Sequence, residues 1–190
     1  MAKTNKRKTY SSKKRKTKRV YKKKDYNSND GMLTSVWGPS AWHYIHTVSF
    51  NYPVEPSCDD KRNYRSFILN LRNILPCGKC RTNLCKNFKK HPLKWHHMKN
   101  RETFSKYVYQ LHETINKMLG KKSGLSYSDV RERYEHFRSR CSKTNQQSHV
   151  EKGCTEPLVG EKSKCVLQIV PHKKQCDTFQ IDETCVKKRD

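Results

Sequence analysis

No run of about 20 predominantly apolar residues, the length a bilayer-spanning helix needs, occurs in this chain. The nearest candidate, residues 31–54, lacks Asp, Glu, Lys and Arg, yet it holds His43, His46, Asn51, two prolines and several hydroxyls. A membrane span is therefore not expected. No apolar stretch follows the N-terminal charges, so they do not read as a secretory signal. A mitochondrial presequence fits poorly, because the run is dominated by Lys and has almost nothing to form an apolar helix face. Between residues 35 and 141 the alternation that marks strands is missing, and a G-x-G-x-x-G dinucleotide fingerprint is absent throughout.

Acids are scarce too, and unevenly so. Residues 1–24 hold 13 Lys or Arg and no acid, against 20 basic and 8 acidic residues in 31–141 and 9 against 7 in 142–190. With 33% hydrophobic residues and a formal net charge of +25, part of the chain is not expected to fold. Residues 1–30 read as a disordered basic tail. It is either a plainly solvated tail or a contact for nucleic acid or an anionic surface.

What remains is helical. The pattern predicts a first helix over about 37–50, with Pro39 near its first turn, where a missing N–H costs little, and Pro53 beyond its end. The second carries Tyr64, Phe67, Ile68, Leu71, Ile74 and Leu75 at i, i+3, i+4, i+7, i+10 and i+11, and Pro76 stops it. A short third begins at C77-G78-K79-C80 with Leu84 and Phe88 inward. The fourth runs from an Asn100 cap to Gly120 with Phe104, Tyr107, Val108, Leu111, Ile115, Met118 and Leu119 in register. A fifth starts near Ser126 or Ser128 and carries Val130, Tyr134 and Phe137. The expected fold class is all-α: a small bundle of four helices plus a short fifth. After Ser142 the pattern dissolves into a tail of irregular structure, with "CVLQIV" its only strand-like piece.

Nine cysteines is a high count for a chain with no secretion signal. It points to oxidising surroundings, a metal, or thiol chemistry. Alone, Cys77 and Cys80 could be half a zinc site, a redox dithiol or a chance pair. A helix starting at Cys77 puts that thiol where unpaired N–H groups and the helix dipole favour a thiolate, and Lys79 and Arg81 are expected to add positive charge. For zinc, Cys77, Cys80 and Cys85 could be joined by His91, His96 or His97. Structural zinc sites, however, favour two paired knuckles, and the second pair is missing. Cys58, Cys85 and Cys141 have no assignable role and default to buried inert thiols.

A second group of residues bears on the choice. Trp42 and His46 lie four apart on the first helix, and His112 and Asn116 four apart on the fourth, with Lys121 just past the Gly120 stop. Singly, each has a bland reading: core tryptophan, satisfied histidine, C-terminal charge. Jointly, they aim an aromatic ring, two imidazoles, an amide and a cation at one space.

Residues 36 to about 141 resemble the Erv/ALR family of FAD-linked sulfhydryl oxidases. The likeness rests on W37-G38-P39 with Trp42 and His46, P76-C77-G78-K79-C80, His112 with Asn116, L119-G120-K121, and "SDVRERY" at 128–134. "WGPSAWHYIH" and the basic tails are similar to versions in large DNA viruses. The resemblance implies a helical bundle cradling FAD, with Gly38, Trp42, His46, His112, Asn116, Lys121 and Tyr134 binding the cofactor and no metal. It implies protein thiols as substrates and oxygen as final acceptor, giving hydrogen peroxide. Cys77 would take the substrate's attack and Cys80 would lie next to the flavin. It also implies a homodimer.

The resemblance divides the chain into a basic tail (1–30), an oxidase domain (31–141) and a Cys-containing tail (142–190). Cys154, Cys165, Cys176 and Cys185 of the last could relay electrons from bulky substrates, or be structural or unpaired. If the viral likeness holds, host cytoplasm or virion is the expected location, ahead of the mitochondrial intermembrane space. Three departures stand out. His112-Glu113 replaces a usual His-Asn, Tyr134 stands for a usual tryptophan, and Tyr109 and Tyr127 occupy the positions of a usual disulfide, so no bridge is expected there. The rival reading is a basic, zinc-binding, nucleic-acid-interacting protein.

Overall fold

The computed structural model describes residues 22–29, 31–140, 154, 156–158, 160–176 and 179–185. The chain divides into two compact units, Met1–Asp30 and Gly31–Asp190. In the first, α1 (Lys23–Tyr26) is a single helical turn; residues 1–21 and 30 of the expected basic tail lie outside the described residues.

The second unit holds α2 (Thr34–Phe50), α3 (Cys58–Ile74), α4 (Gly78–Lys90), a 3-10 turn (Trp95–Met98), α5 (Arg101–Met118) and α6 (Tyr127–Glu135). Three of the starts are fixed by reciprocal caps. Ser57 pairs with Asp60, Asn100 with Thr103, and Ser126 with Asp129, each satisfying backbone N–H groups that the first turn leaves open. Each such cap stabilises its helix by about 1 kcal/mol. α5 ends in a Schellman turn: Lys121 N–H bonds Asn116 C=O at 2.8 Å and Gly120 N–H bonds Lys117 C=O at 3.2 Å. Gly120 takes φ of 69° there, a conformation glycine reaches without a Cβ penalty.

α2 packs along α5, α3 against α4, and α6 against both α2 and α5. Tyr52, Ile68, Met98, Phe104, Tyr107, Val108 and Leu111 form the sealed centre. Tyr52 and Phe104 rings lie 4.8 Å apart, and the buried hydroxyls are spent on backbone: Tyr52 donates to Met98 C=O and Tyr107 to His91 C=O, both at 2.9 Å.

Several sequence expectations need correction. α2 starts three residues early, at Thr34, and Pro39 sits inside it, removing the N–H that would bond Ser35 C=O. Its first turn has no side-chain cap, so nothing local announced it. Ile74, Met118 and Leu119, read as inward, are largely exposed, because the apolar period outruns the neighbour it packs on. "CVLQIV" forms no strand; the short antiparallel pair is instead β1 (Ser139–Arg140) with β2 (Glu156–Pro157), β1 lying at the end of a region where no strand was expected. Cys58 is exposed rather than buried, while Cys141 falls outside the described residues. No helix among the described residues is long and apolar enough to cross a membrane.

Candidate active site

Cys77 is the N-cap of α4. Its sulfur accepts the Cys80 backbone N–H at 3.2 Å, closing the first turn. Both residues are free thiols and half-buried. Hydrogen bonds from the Cys80 thiol and backbone hold the Cys77 thiol below the usual range, whereas burial, followed by the neighbouring Cys77, pushes Cys80 up. The pair is thus asymmetric: one thiol is predisposed to ionise, the other shielded. The expected contribution of Arg81 is corrected, for its guanidinium turns back to Leu75 C=O. Lys79 is exposed and reaches the pair through its backbone N–H on Cys77. The shift at Cys77 is made by hydrogen bonds rather than by neighbouring cations.

The thiols meet α2 at its first residue, where Thr34 Oγ1 lies 3.7 Å from Cys80 Sγ. From there a single i, i+4 row runs along α2 through Gly38, Trp42, His46 and Phe50, about 24 Å at 1.5 Å per residue. Gly38 is buried, and a Cβ there would meet only Thr34 Cγ2, at 3.7 Å. Trp42 stacks on His112 of α5 with centroids 3.9 Å apart and planes 7° from parallel. His46 Nε2 and His112 Nδ1 share a hydrogen bond of 3.0 Å. Burial is the main cause that drops His46 to about 3 and His112 to about 4, so both imidazoles are neutral at pH 7. His46 Nδ1 is buried without a partner. At the far end Phe50 stacks on Tyr134 of α6 at 5.3 Å, and Tyr134 hydroxyl meets His43 Nδ1 at 3.3 Å.

Trp42, His46, His112 and Tyr134 are therefore brought together, with Gly38 on the same row. Asn116 lies one turn beyond His112 and donates to Glu113 at 3.0 Å. Lys121, past the Schellman turn, is exposed, close enough that its charge further lowers His112. Thr34 and His43 were missed by the sequence reading, although Thr34 is legible as the residue four before Gly38 and eight before Trp42. Phe179 of the C-terminal segment also packs on His43 at 5.2 Å. Such a donor set suits a long ligand with planar aromatic parts and an anionic part. The orphaned His46 Nδ1 and the room beside Gly38, where a Cβ would meet only Thr34 Cγ2, fit such a ligand. A surface cleft lined by Arg101, Glu102, Arg131 and Glu135 contains no thiol and meets this row at its far end, Phe50.

Residues 39–149 match the model of the Erv1 / Alr family. The chain belongs to that family. It is 36% identical over 104 residues to a probable FAD-linked sulfhydryl oxidase of Acanthamoeba polyphaga mimivirus, covering 55% of this chain and 72% of that one. It is 31% identical over 99 residues to an FAD-linked sulfhydryl oxidase of African swine fever virus, covering 52% and 80%. Among solved structures, the crystal structure of the yeast Erv1 core matches with a TM-score of 0.50 and 23% identity over 63% of this chain and 93% of that one, a likeness of fold. The zinc reading gains nothing here: among the described residues no three His, Cys, Asp or Glu side chains converge as metal ligands. His91 instead stacks on Tyr107 at 5.0 Å.

Tyr109 and Tyr127, where no bridge was expected, face each other with centroids 5.9 Å apart. Tyr109 donates to Leu125 C=O at 2.8 Å and Tyr127 hydroxyl meets Ser105 Oγ at 2.9 Å, so two hydroxyls tie α5 to α6 where sulfurs would.

Proposed function

We propose that this chain is an FAD-dependent thiol oxidase that makes disulfides in protein substrates and delivers the electrons to oxygen as hydrogen peroxide. The observation that carries this reading is the α2 row. It touches the Cys77–Cys80 pair at one end and presents Trp42 and His46 to His112 farther along. Gly38, Trp42, His46, His112, Asn116, Lys121 and Tyr134 would hold the cofactor, aromatic faces against its rings and the Lys121 cation toward its phosphates. Neutral His46 and His112 can hydrogen-bond its uncharged polar groups without placing a buried charge beside them.

A substrate thiolate attacks Cys77 of the Cys77–Cys80 disulfide. The new sulfur–sulfur bond forms as the old one breaks, and the electron pair leaves on Cys80. A second substrate thiol resolves the mixed disulfide, releasing Cys77 and the oxidised substrate. FAD, when bound, supplies the two-electron acceptor that lets the dithiol close again and the link onward to oxygen. The chain's own contribution is to lower the pKa of Cys77, shelter Cys80 and hold both at the end of α2.

Two finer points belong to the same reading. A homodimer through bundle helices is supported by Tyr44 of α2 and Ile74 of α3, 60% and 67% exposed, and sedimentation velocity would reveal it. Binding of the N-terminal basic run to nucleic acid or another anionic surface is supported by its 13 cations without an acid, and salt-dependent retention on DNA tests it.

The deciding experiment is oxygen uptake by purified protein on adding dithiothreitol, alongside Cys80→Ser. The parent is expected to be yellow and to consume oxygen. The variant is expected to stay yellow and fall at least about 100-fold in rate, since a sulfur that forms the covalent intermediate has no substitute. A colourless protein that gives up zinc to a chelator would replace the reading.

A further inference from the structure

Residues 31–34 run directly over the thiol pair, held at each position. Gly31 approaches so closely that a Cβ there would lie 2.9 Å from Pro76 C=O. Met32 N–H donates to that same carbonyl at 2.9 Å, and Met32 C=O in turn accepts the Trp37 indole N–H at 3.1 Å. The segment is thereby clamped between the residue that precedes Cys77 and the second turn of α2. Leu33 C=O accepts the Val36 and Trp37 N–H groups at 3.0 and 3.2 Å, and Thr34 follows as the first residue of the helix, its hydroxyl 3.7 Å from Cys80 Sγ. Met32, Leu33 and Ile74 around it are mostly exposed, so the strap is not held there by burial of its side chains. What it positions is the hydroxyl.

We infer that Thr34 is a further catalytic residue, a hydroxyl donor to Cys80 Sγ that stabilises the thiolate leaving when the Cys77–Cys80 disulfide is attacked, with Gly31 and Met32 as the strap that positions it. The inference deepens the oxidase reading and rests on it. In the step concerned, the bond from substrate sulfur to Cys77 forms, the Cys77–Cys80 bond breaks, and the electron pair stays on Cys80. The Thr34 proton remains on its oxygen and is shared with that sulfur, so no further reactant is needed. A leaving thiolate departs faster the better it is stabilised, and Cys80 needs the help more than Cys77. Cys77 is the helix cap, lowered chiefly by Cys80 and to a smaller extent by the same Thr34 hydroxyl, whereas Cys80 is sheltered and raised by burial, with Thr34 opposing that rise. Cys77 is the titratable neighbour that acts on Cys80, and Lys79 and Arg81 are the charged residues that flank it on α4.

Site-resolved alkylation of the reduced, full-length protein by iodoacetamide across a pH series, read by peptide mass spectrometry, tests this without oxygen or turnover. Thr34→Val is expected to move the Cys80 profile up by about one pH unit, the worth of one hydrogen bond to a charged sulfur, while exposed Cys58 keeps its own. Thr34→Ser is expected to restore the parent profile. Gly31→Ala, which keeps the hydroxyl and displaces the strap, is expected to shift Cys80 in the same direction. A Cys80 profile that ignores Thr34→Val, or a Ser variant that behaves as Val does, overturns the donor role; an unchanged profile in Gly31→Ala overturns the strap. Should Thr34→Val fail to fold, Thr34→Ala takes its place, with the same upward shift of the Cys80 profile expected and an unchanged profile overturning the donor role. Loss of oxygen uptake with a Thr34-dependent Cys80 profile would sink the oxidase reading alone, whereas uptake with a Thr34-independent profile would sink this inference alone.

Discussion

The two ends of α2 are built to different standards. At Thr34 the helix begins with no side-chain cap, an exposed Leu33 before it, and one long contact to a sulfur. At His46–Phe50 it is buried, its rings pack on α5 and α6, and its polar atoms are paired save one. In the proposed oxidase the first end admits a protein substrate and exchanges bonds, and it is exposed and held by backbone hydrogen bonds rather than by burial. The second is where a ligand would be retained, so it is rigid. On the oxidase reading, reactive and retentive chemistry share the same row of one helix, separated by length.

Cys80→Ser sharpens that division most, removing oxygen uptake while leaving bound flavin in place. Phe104→Ala attacks the rigid half. The ring is fully buried, and its loss is expected to cost about 3–5 kcal/mol of unfolding free energy by denaturant titration; a loss well under 1 kcal/mol would show that the second end is not sealed as described.

Next in size is pH. His46 and His112 sit near 3 and 4 when folded against an ordinary 6.5. Below pH 6.5 the unfolded chain therefore takes up protons that the folded one refuses. Stability is full above 6.5 and falls as pH drops toward the folded values, by about 1.4 kcal/mol per pH unit for each imidazole at most. Chemical denaturation at pH 7, 6 and 5 checks this, and a flat profile would break it.

Trp42→Ala probes the retentive end alone. Losing the stacked indole is expected to weaken FAD binding about tenfold in fluorescence titrations, with the alkylation profile of Cys77 unaltered. A change at Cys77 without a change in binding would invert the comparison. Smallest is Tyr109→Phe, which deletes the hydroxyl on Leu125 C=O and is expected to cost about 1 kcal/mol.

How much of this was legible in the sequence differs along the same helix. His46 and Trp42 were visible as an i, i+4 pair, and so were His112 and Asn116, because helical period alone puts such residues on one face. The Asn100 start was visible because its side chain is the cap, and the fifth helix's start was narrowed to Ser126 or Ser128, of which Ser126 is the cap. Thr34 was overlooked despite its spacing from Gly38 and Trp42, because its turn has no cap and Pro39 suggested a later beginning, a proline being cheapest in a first turn. Arg81 was misjudged for a different reason, as a long side chain has several acceptors within reach and sequence does not say which it takes. Exposed Ile74 shows the limit of periodicity, which reports a face but not where the neighbouring helix stops. Phe179 reaching His43 from the C-terminal segment is a contact between residues far apart in sequence that no local pattern encodes.

The central claim is that electrons pass from the Cys77–Cys80 pair to a flavin held farther along α2. Anaerobic addition of dithiothreitol to the purified protein, followed by visible absorbance, tests it most directly. The account predicts that the flavin band bleaches in the parent and persists in Cys80→Ser. A band that persists in the parent while Cys77 and Cys80 are shown to be reduced, or one that bleaches equally in the variant, would contradict it.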